Sequence, residues 1–118
     1  DPLLSIAIAL YILFNVYRNI RQSLHIILQG SPLEIDLGEV KQSILSIDGV
    51  EGVHDLHAWS VDGEYNVMTV HVVLLTPISM EEQQQLKLQI RERLLAQGIQ
   101  HCTIEFERKG EECSMEDC

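Results

Sequence analysis

The chain has 118 residues, enough for one domain with a modest core but not for two. Its 18 acidic and 8 basic residues give a formal net charge of −10, which argues against nucleic acid or anionic lipid as a partner of the soluble part and favours divalent cations. Three cysteines, two of them in the last six residues, do not form the disulfide framework of a secreted protein, so a reducing compartment is expected.

The first predicted element is a helix built on a run over residues 3–17, which is apolar apart from Ser5 and Asn15. This run is short for a membrane span, which usually needs about twenty residues, so a buried core helix and the apolar part of a signal peptide are the alternatives. In a signal peptide the basic residues precede the apolar part, whereas here they follow it. The order of the residues therefore favours a transmembrane helix.

Basic residues indicate which end of this helix faces the cytosol. Arg18 and Arg21 lie just past the apolar run, and basic residues that flank a span mark its cytoplasmic end. We therefore expect residues 3–17 to cross an inner or cell membrane, with residues 18–118 in the cytosol. We interpret this helix as the last transmembrane helix of a larger protein.

The chain divides into four segments by composition. They are the transmembrane helix with its cytosolic extension over 1–29, a linker over 30–35, a cytosolic domain over 36–108 and an acidic tail with cysteines over 109–118. The tetrapeptide Gln29-Gly30-Ser31-Pro32 ends the helix and begins the linker, because glycine and proline disfavour its continuation.

Five elements are predicted within the cytosolic domain. In order, they are a helix from Asp36 to Gly49, a strand over 53–61, a strand over 65–75, a helix from Ser79 to Gly98 and a strand over 101–107. Asp36 with Glu39 and Ser79 with Glu82 have the spacing of helix-capping boxes. The order αββαβ predicts an α+β, ferredoxin-like sandwich with a three-stranded sheet and two helices on one face.

Alternation along the strands predicts which side chains the other, uncovered face of the sheet carries. These are His71, His101, Glu105 and Glu107, whereas Cys102 faces the core. Alternation in the first strand places His54 with Leu56 and Ala58, and puts His54 and His57 on opposite faces. One ion should therefore not bind both of these histidines.

Six short segments carry a resemblance to a known family. They are residues 1–3, 23–25 and 30–32, the stretch Gly52-Val53-His54-Asp55-Leu56-His57-Ala58-Trp59, the stretch Val70-His71-Val72, and residues 101–105. Together they resemble the cation diffusion facilitator family of zinc transporters. The resemblance implies a metallochaperone-like αββαβ fold for residues 33–108, and a homodimeric metal–proton antiporter that exports zinc and related ions from the cytosol. The family's transport site lies on earlier transmembrane helices, so transport is not expected of this chain alone.

The resemblance also implies metal ligands in the cytosolic domain. They are His54, His71, His101 and Glu107, joined by the tail cysteines Cys113 and Cys118. Zinc is the expected ion, with Cd2+, Co2+ and Ni2+ as further candidates. For any one histidine, the alternative is a hydrogen-bonded residue of the sheet, and for the tail it is a solvated acidic segment. Asp55 is a secondary candidate, as a ligand or as an acceptor for an imidazole N–H.

Two functions remain open. The first is a regulatory and dimerising domain, in which bound zinc favours one dimer arrangement. The second is a purely structural dimerisation module without a functional metal. An enzyme is not expected, because the sequence shows no nucleophile with a nearby base, no glycine-rich phosphate loop and no HExxH motif. We expect His57 and Trp59 to pack at the sheet or the dimer seam.

Overall fold

The computed structural model describes residues 1–32 and 34–111. Its elements are α1 (Pro2–Ile27), α2 (Leu37–Leu45), β1 (Val50–Ser60), β2 (Asn66–Leu74), α3 (Met80–Ala96) and β3 (His101–Arg108). The strands form one sheet in the order β1-β2-β3, in which β1 and β2 are antiparallel and β2 and β3 are parallel. The predicted αββαβ sandwich with a preceding apolar helix is confirmed.

Helix α1 is a continuous 26-residue helix with no buried residue in this chain. Asp1 caps its first turn by accepting a hydrogen bond from the Leu3 N–H, and proline occupies the first helical position. At 1.5 Å per residue the helix is about 39 Å long, more than the ~30 Å of a bilayer core. By length and composition α1 can cross a membrane and extend beyond it on the side of Arg18 and Arg21.

The core lies between one face of the sheet and helices α2 and α3. Burial alternates strictly along β2, where Met68, Val70, Val72 and Leu74 are buried and the residues between them are not. The helices contribute apolar stripes, which include Val40 and Ile44 from α2 and Leu86, Ile90 and Leu94 from α3. The opposite face of the sheet carries no helix within the described residues.

The capping box of α3 contributes to stability. The Ser79 hydroxyl accepts from the Glu82 N–H at 3.2 Å, and the Ser79 N–H donates to a Glu82 carboxylate oxygen at 2.7 Å. This backbone hydrogen bond, assisted by the hydroxyl, lowers the pKa of Glu82 below its ordinary value. The contribution of this hydrogen bond to stability is therefore present above the ordinary pKa of Glu82 and is lost as the pH falls through the lowered pKa.

We expect Ser79→Ala to lower the free energy of unfolding by about 1 kcal/mol at neutral pH, because the Glu82 N–H loses its hydroxyl acceptor in the first turn. Urea unfolding in detergent micelles, followed by circular dichroism, measures the effect. The matched control is Ser79→Thr, which keeps the hydroxyl and should retain most of the stability. Identical unfolding midpoints for wild type and Ser79→Ala would contradict the prediction.

Strand β1 departs from the predicted pattern through a bulge. The strand begins at Val50, earlier than predicted, and the register shifts between the pairs His54–His71 and His57–Thr69. Asp55 has a φ of 48° there, a left-handed conformation that Asp tolerates better than most residues.

The expectation that His54 and His57 face opposite sides of the sheet is therefore wrong. The extra residue in the bulge turns both histidines onto the open face, while Val53 and Ala58 on either side remain buried in the core. Strict alternation fails here because a bulge inserts one unpaired residue into the ladder.

Candidate metal centre

Three strands each contribute one side chain to a cluster on the open face of the sheet. His54 lies on β1, His71 on β2 and Glu107 on β3. His54 Nε2 is 2.7 Å from Glu107 Oε2, and His71 Nδ1 is 2.6 Å from Glu107 Oε1. One ligand atom from each residue lies within 4.8 Å of the other two, which is a spacing that allows all three to bind one ion.

The strand register explains why these residues meet. His54 and His71 are directly paired across β1 and β2, so their side chains share a face. Their ring centroids are 5.3 Å apart, with an interplanar angle of 70°. Glu107 pairs with Val73, two positions along β2 from His71, and its side chain reaches back so that each carboxylate oxygen meets one imidazole.

Glu107 is the carboxylate at the centre of the cluster and is only 8% exposed. Burial raises its pKa, but the hydrogen bonds from His54 and His71 and the electrostatic attraction of the two rings together lower the pKa by more, so the net shift is downward. The side chain is therefore held as a carboxylate at neutral pH. Two imidazoles and one carboxylate form a donor set that zinc uses in proteins with a fourth position left open.

A second layer of carboxylates surrounds His71 on its other side. Asp55 Oδ2 lies 3.3 Å and Glu105 Oε2 lies 3.5 Å from His71 Nε2. The other oxygen of Asp55 is 2.7 Å from His57 Nε2, and the His57 side chain is 59% exposed. His57 therefore contacts Asp55 at the edge of the site, and not Glu107 at its centre.

The remaining predicted ligands are placed as follows. His101 begins β3 opposite Val67, six residues before Glu107, so it lies about 20 Å along the strand at ~3.3 Å per residue. This chain's fold does not bring His101 to the cluster. Cys113 and Cys118 lie outside the described residues.

Two further residues named from the sequence have packing positions. Cys102 is buried, as predicted, and burial raises the pKa of its thiol to about 11, so the thiolate form is disfavoured. Trp59 pairs with Val67 and lines a recess on the sheet together with His57, Leu37 and other residues. Neither residue joins the cluster.

The fold and the site define a class of protein, namely an αββαβ domain that carries metal-ligand side chains on an open sheet face and is preceded by a helix able to cross a membrane. A family profile described as "Cation efflux protein, cytoplasmic domain" matches residues 32–109. The chain therefore belongs to the cation efflux family, and the resemblance seen in the sequence is confirmed.

Relatives of this chain are transporters and not enzymes. The cadmium, cobalt and zinc/H(+)-K(+) antiporter of Bacillus subtilis (strain 168) is 33% identical over 110 residues, which cover 93% of this chain and 35% of the relative. The metal cation efflux system protein CzcD of Cupriavidus metallidurans is 35% identical over 109 residues, which cover 91% of this chain and 34% of that relative. A solved structure of CzrB in its Zn form has 28% identity and a TM-score of 0.56, and the match covers 72% of this chain and 97% of that chain. This chain spans about a third of the length of the two curated relatives.

Proposed function

We propose that residues 36–108 form the cytosolic dimerisation and regulatory domain of a divalent-cation efflux transporter, and that the domain binds zinc. The observation that carries the proposal is the convergence of His54, His71 and Glu107 from three strands. The Zn form of CzrB and the zinc antiporter of Bacillus subtilis support zinc as the ion. Cadmium and cobalt, which are also named for that antiporter, have compatible donor preferences.

The proposal for the whole protein is a metal–proton antiporter in an inner or cell membrane. Helix α1 would cross the bilayer and hold the domain on the cytosolic side, because Arg18 and Arg21 follow its apolar part. The linker over residues 30–35 would connect the span to the domain. The cluster on the sheet would then sense the ion that the transporter exports.

Formation of a homodimer would bury the open face of the sheet. This face carries the partly exposed side chains of Trp59, Val67 and Val73 beside the metal-ligand cluster. Each chain has a formal net charge of −10, so two protomers repel each other, and divalent cations bound at the face would reduce this repulsion. Zinc would shift the dimer only by its difference in affinity for the two arrangements.

The fourth coordination position is open to several donors. The tail cysteines Cys113 and Cys118 are the first candidates, since thiolates are common zinc ligands. His101 is the second, and it would have to come from another protomer because its own chain places it far from the cluster. Glu105 is not among them, because it contacts His71 at Nε2, on the side away from the centre of the cluster.

We expect the full chain in detergent micelles to bind zinc and to change its dimer geometry on binding. Calorimetry measures the affinity, and distances between spin labels placed at Lys41, on α2 of each protomer, measure the geometry. Zinc binding without a change in distances would favour the purely structural dimerisation module. Absence of zinc binding at micromolar concentration would overturn the proposal.

A further inference from the structure

The bulge in β1 places a carboxylate where regular strand geometry would not. Asp55 lies at the bulge with its backbone in the left-handed region, at a φ of 48°. Bulges next to functional sites re-aim side chains, and unusual backbone conformations persist where surrounding contacts hold them. Here the contacts include two imidazoles, His57 at 2.7 Å and His71 at 3.3 Å.

The two nitrogens of His71 face different partners. Nδ1 faces Glu107 and the centre of the cluster, and its N–H donates to the carboxylate at 2.6 Å. Zinc binding at Nδ1 therefore requires that this proton leave, so that the one N–H of the ring is on Nε2. Nε2 faces away from the centre, toward Asp55 at 3.3 Å and Glu105 at 3.5 Å. A neutral imidazole carries one N–H, and the partner of that N–H decides which nitrogen has a lone pair for a metal ion.

We propose that Asp55 is a positioning residue: when zinc takes the place of the Nδ1 proton, Asp55 accepts the Nε2–H of His71 and thereby keeps Nδ1 directed to the ion. The inference rests on the proposed zinc site and adds which nitrogen binds and which residue selects it. His57 supports Asp55 from the solvent side and is not itself a ligand. Glu105 is a weaker acceptor because its side chain is 68% exposed and water competes for it.

Two substitutions separate the carboxylate from the backbone that carries it. Asp55→Gly suits a positive φ and removes the acceptor without strain. Asp55→Asn tolerates the same backbone and keeps one side-chain oxygen that can accept the Nε2–H, so it is the conservative variant. Glu105→Gln is the matched control, as it changes the other carboxylate near Nε2. Far-ultraviolet circular dichroism checks that each variant is folded.

The experiment uses the full chain with 15N-labelled histidine in detergent micelles, with zinc as the only added ligand. Long-range 1H–15N spectra identify the zinc-bound nitrogen of His71, and calorimetry gives the affinity. We expect zinc on Nδ1 and a proton on Nε2 in the wild type. Asp55→Gly should weaken binding by about 10- to 100-fold, the range for partners of metal ligands, and should allow zinc on Nε2 in part of the molecules. Asp55→Asn should retain Nδ1 binding, and Glu105→Gln should remain near wild type.

Zinc on Nε2 of His71 in the wild type would overturn the inference. An Asp55→Gly variant that binds zinc with unchanged affinity and through the same nitrogen of His71 would also overturn it. Either result leaves the proposed zinc site standing, because the wild type still binds. A wild type that binds no zinc overturns both proposals together.

Discussion

His71→Ala is expected to weaken zinc binding by at least about tenfold, the lower end of the range for residues that only support metal ligands. The reason is that His71 contacts Glu107 through one nitrogen and faces Asp55 and Glu105 through the other, so that its ring is central to the site. Calorimetric titration of the full chain in detergent micelles measures the loss. The core residues lie on the opposite face of the sheet, so circular dichroism should show an unchanged fold.

The matched control is His57→Ala, which removes an imidazole from the same face of the sheet. The effect should be smaller than that of His71→Ala because His57 is exposed and contacts the cluster only through Asp55. His101→Ala adds a second comparison. If His101→Ala lost as much zinc affinity as His71→Ala, another protomer would supply His101 to the site. Equal zinc affinities for wild type and His71→Ala would contradict the proposed site and, with it, the regulatory part of the proposed function.

Leu94→Ala is expected to lower the free energy of unfolding by about 2–5 kcal/mol, because it removes a fully buried side chain and leaves a cavity between α3 and the sheet. The next residue, Leu95, is 62% exposed in the same helix turn and offers a matched control. Leu95→Ala should change stability by less than about 0.5 kcal/mol. Urea unfolding in micelles, followed by circular dichroism, compares the two. Similar losses for both variants would contradict the burial of this face of α3.

The fold could be predicted from the sequence because its signals are local. The capping box of Ser79 and Glu82 and the apolar stripe through Ile90 and Leu94 depend only on residues within one helix. Strict alternation in β2 placed His71 on the open face, and the structure confirms that position. Periodicity of two is a property of any regular strand, so no tertiary information was needed there.

The sequence by itself thus determined the class of domain, its family and the pool of metal-ligand residues. Only the tertiary structure decided which of them meet. The bulge at Asp55 brought His57 onto the same face as His54 and His71, because one inserted residue reverses the faces of all later residues in a strand. Distance along β3 separated His101 from Glu107, since residues on one face of a strand can still lie about 20 Å apart. Alternation predicts the face that a side chain occupies, whereas register and position along the strands determine its neighbours.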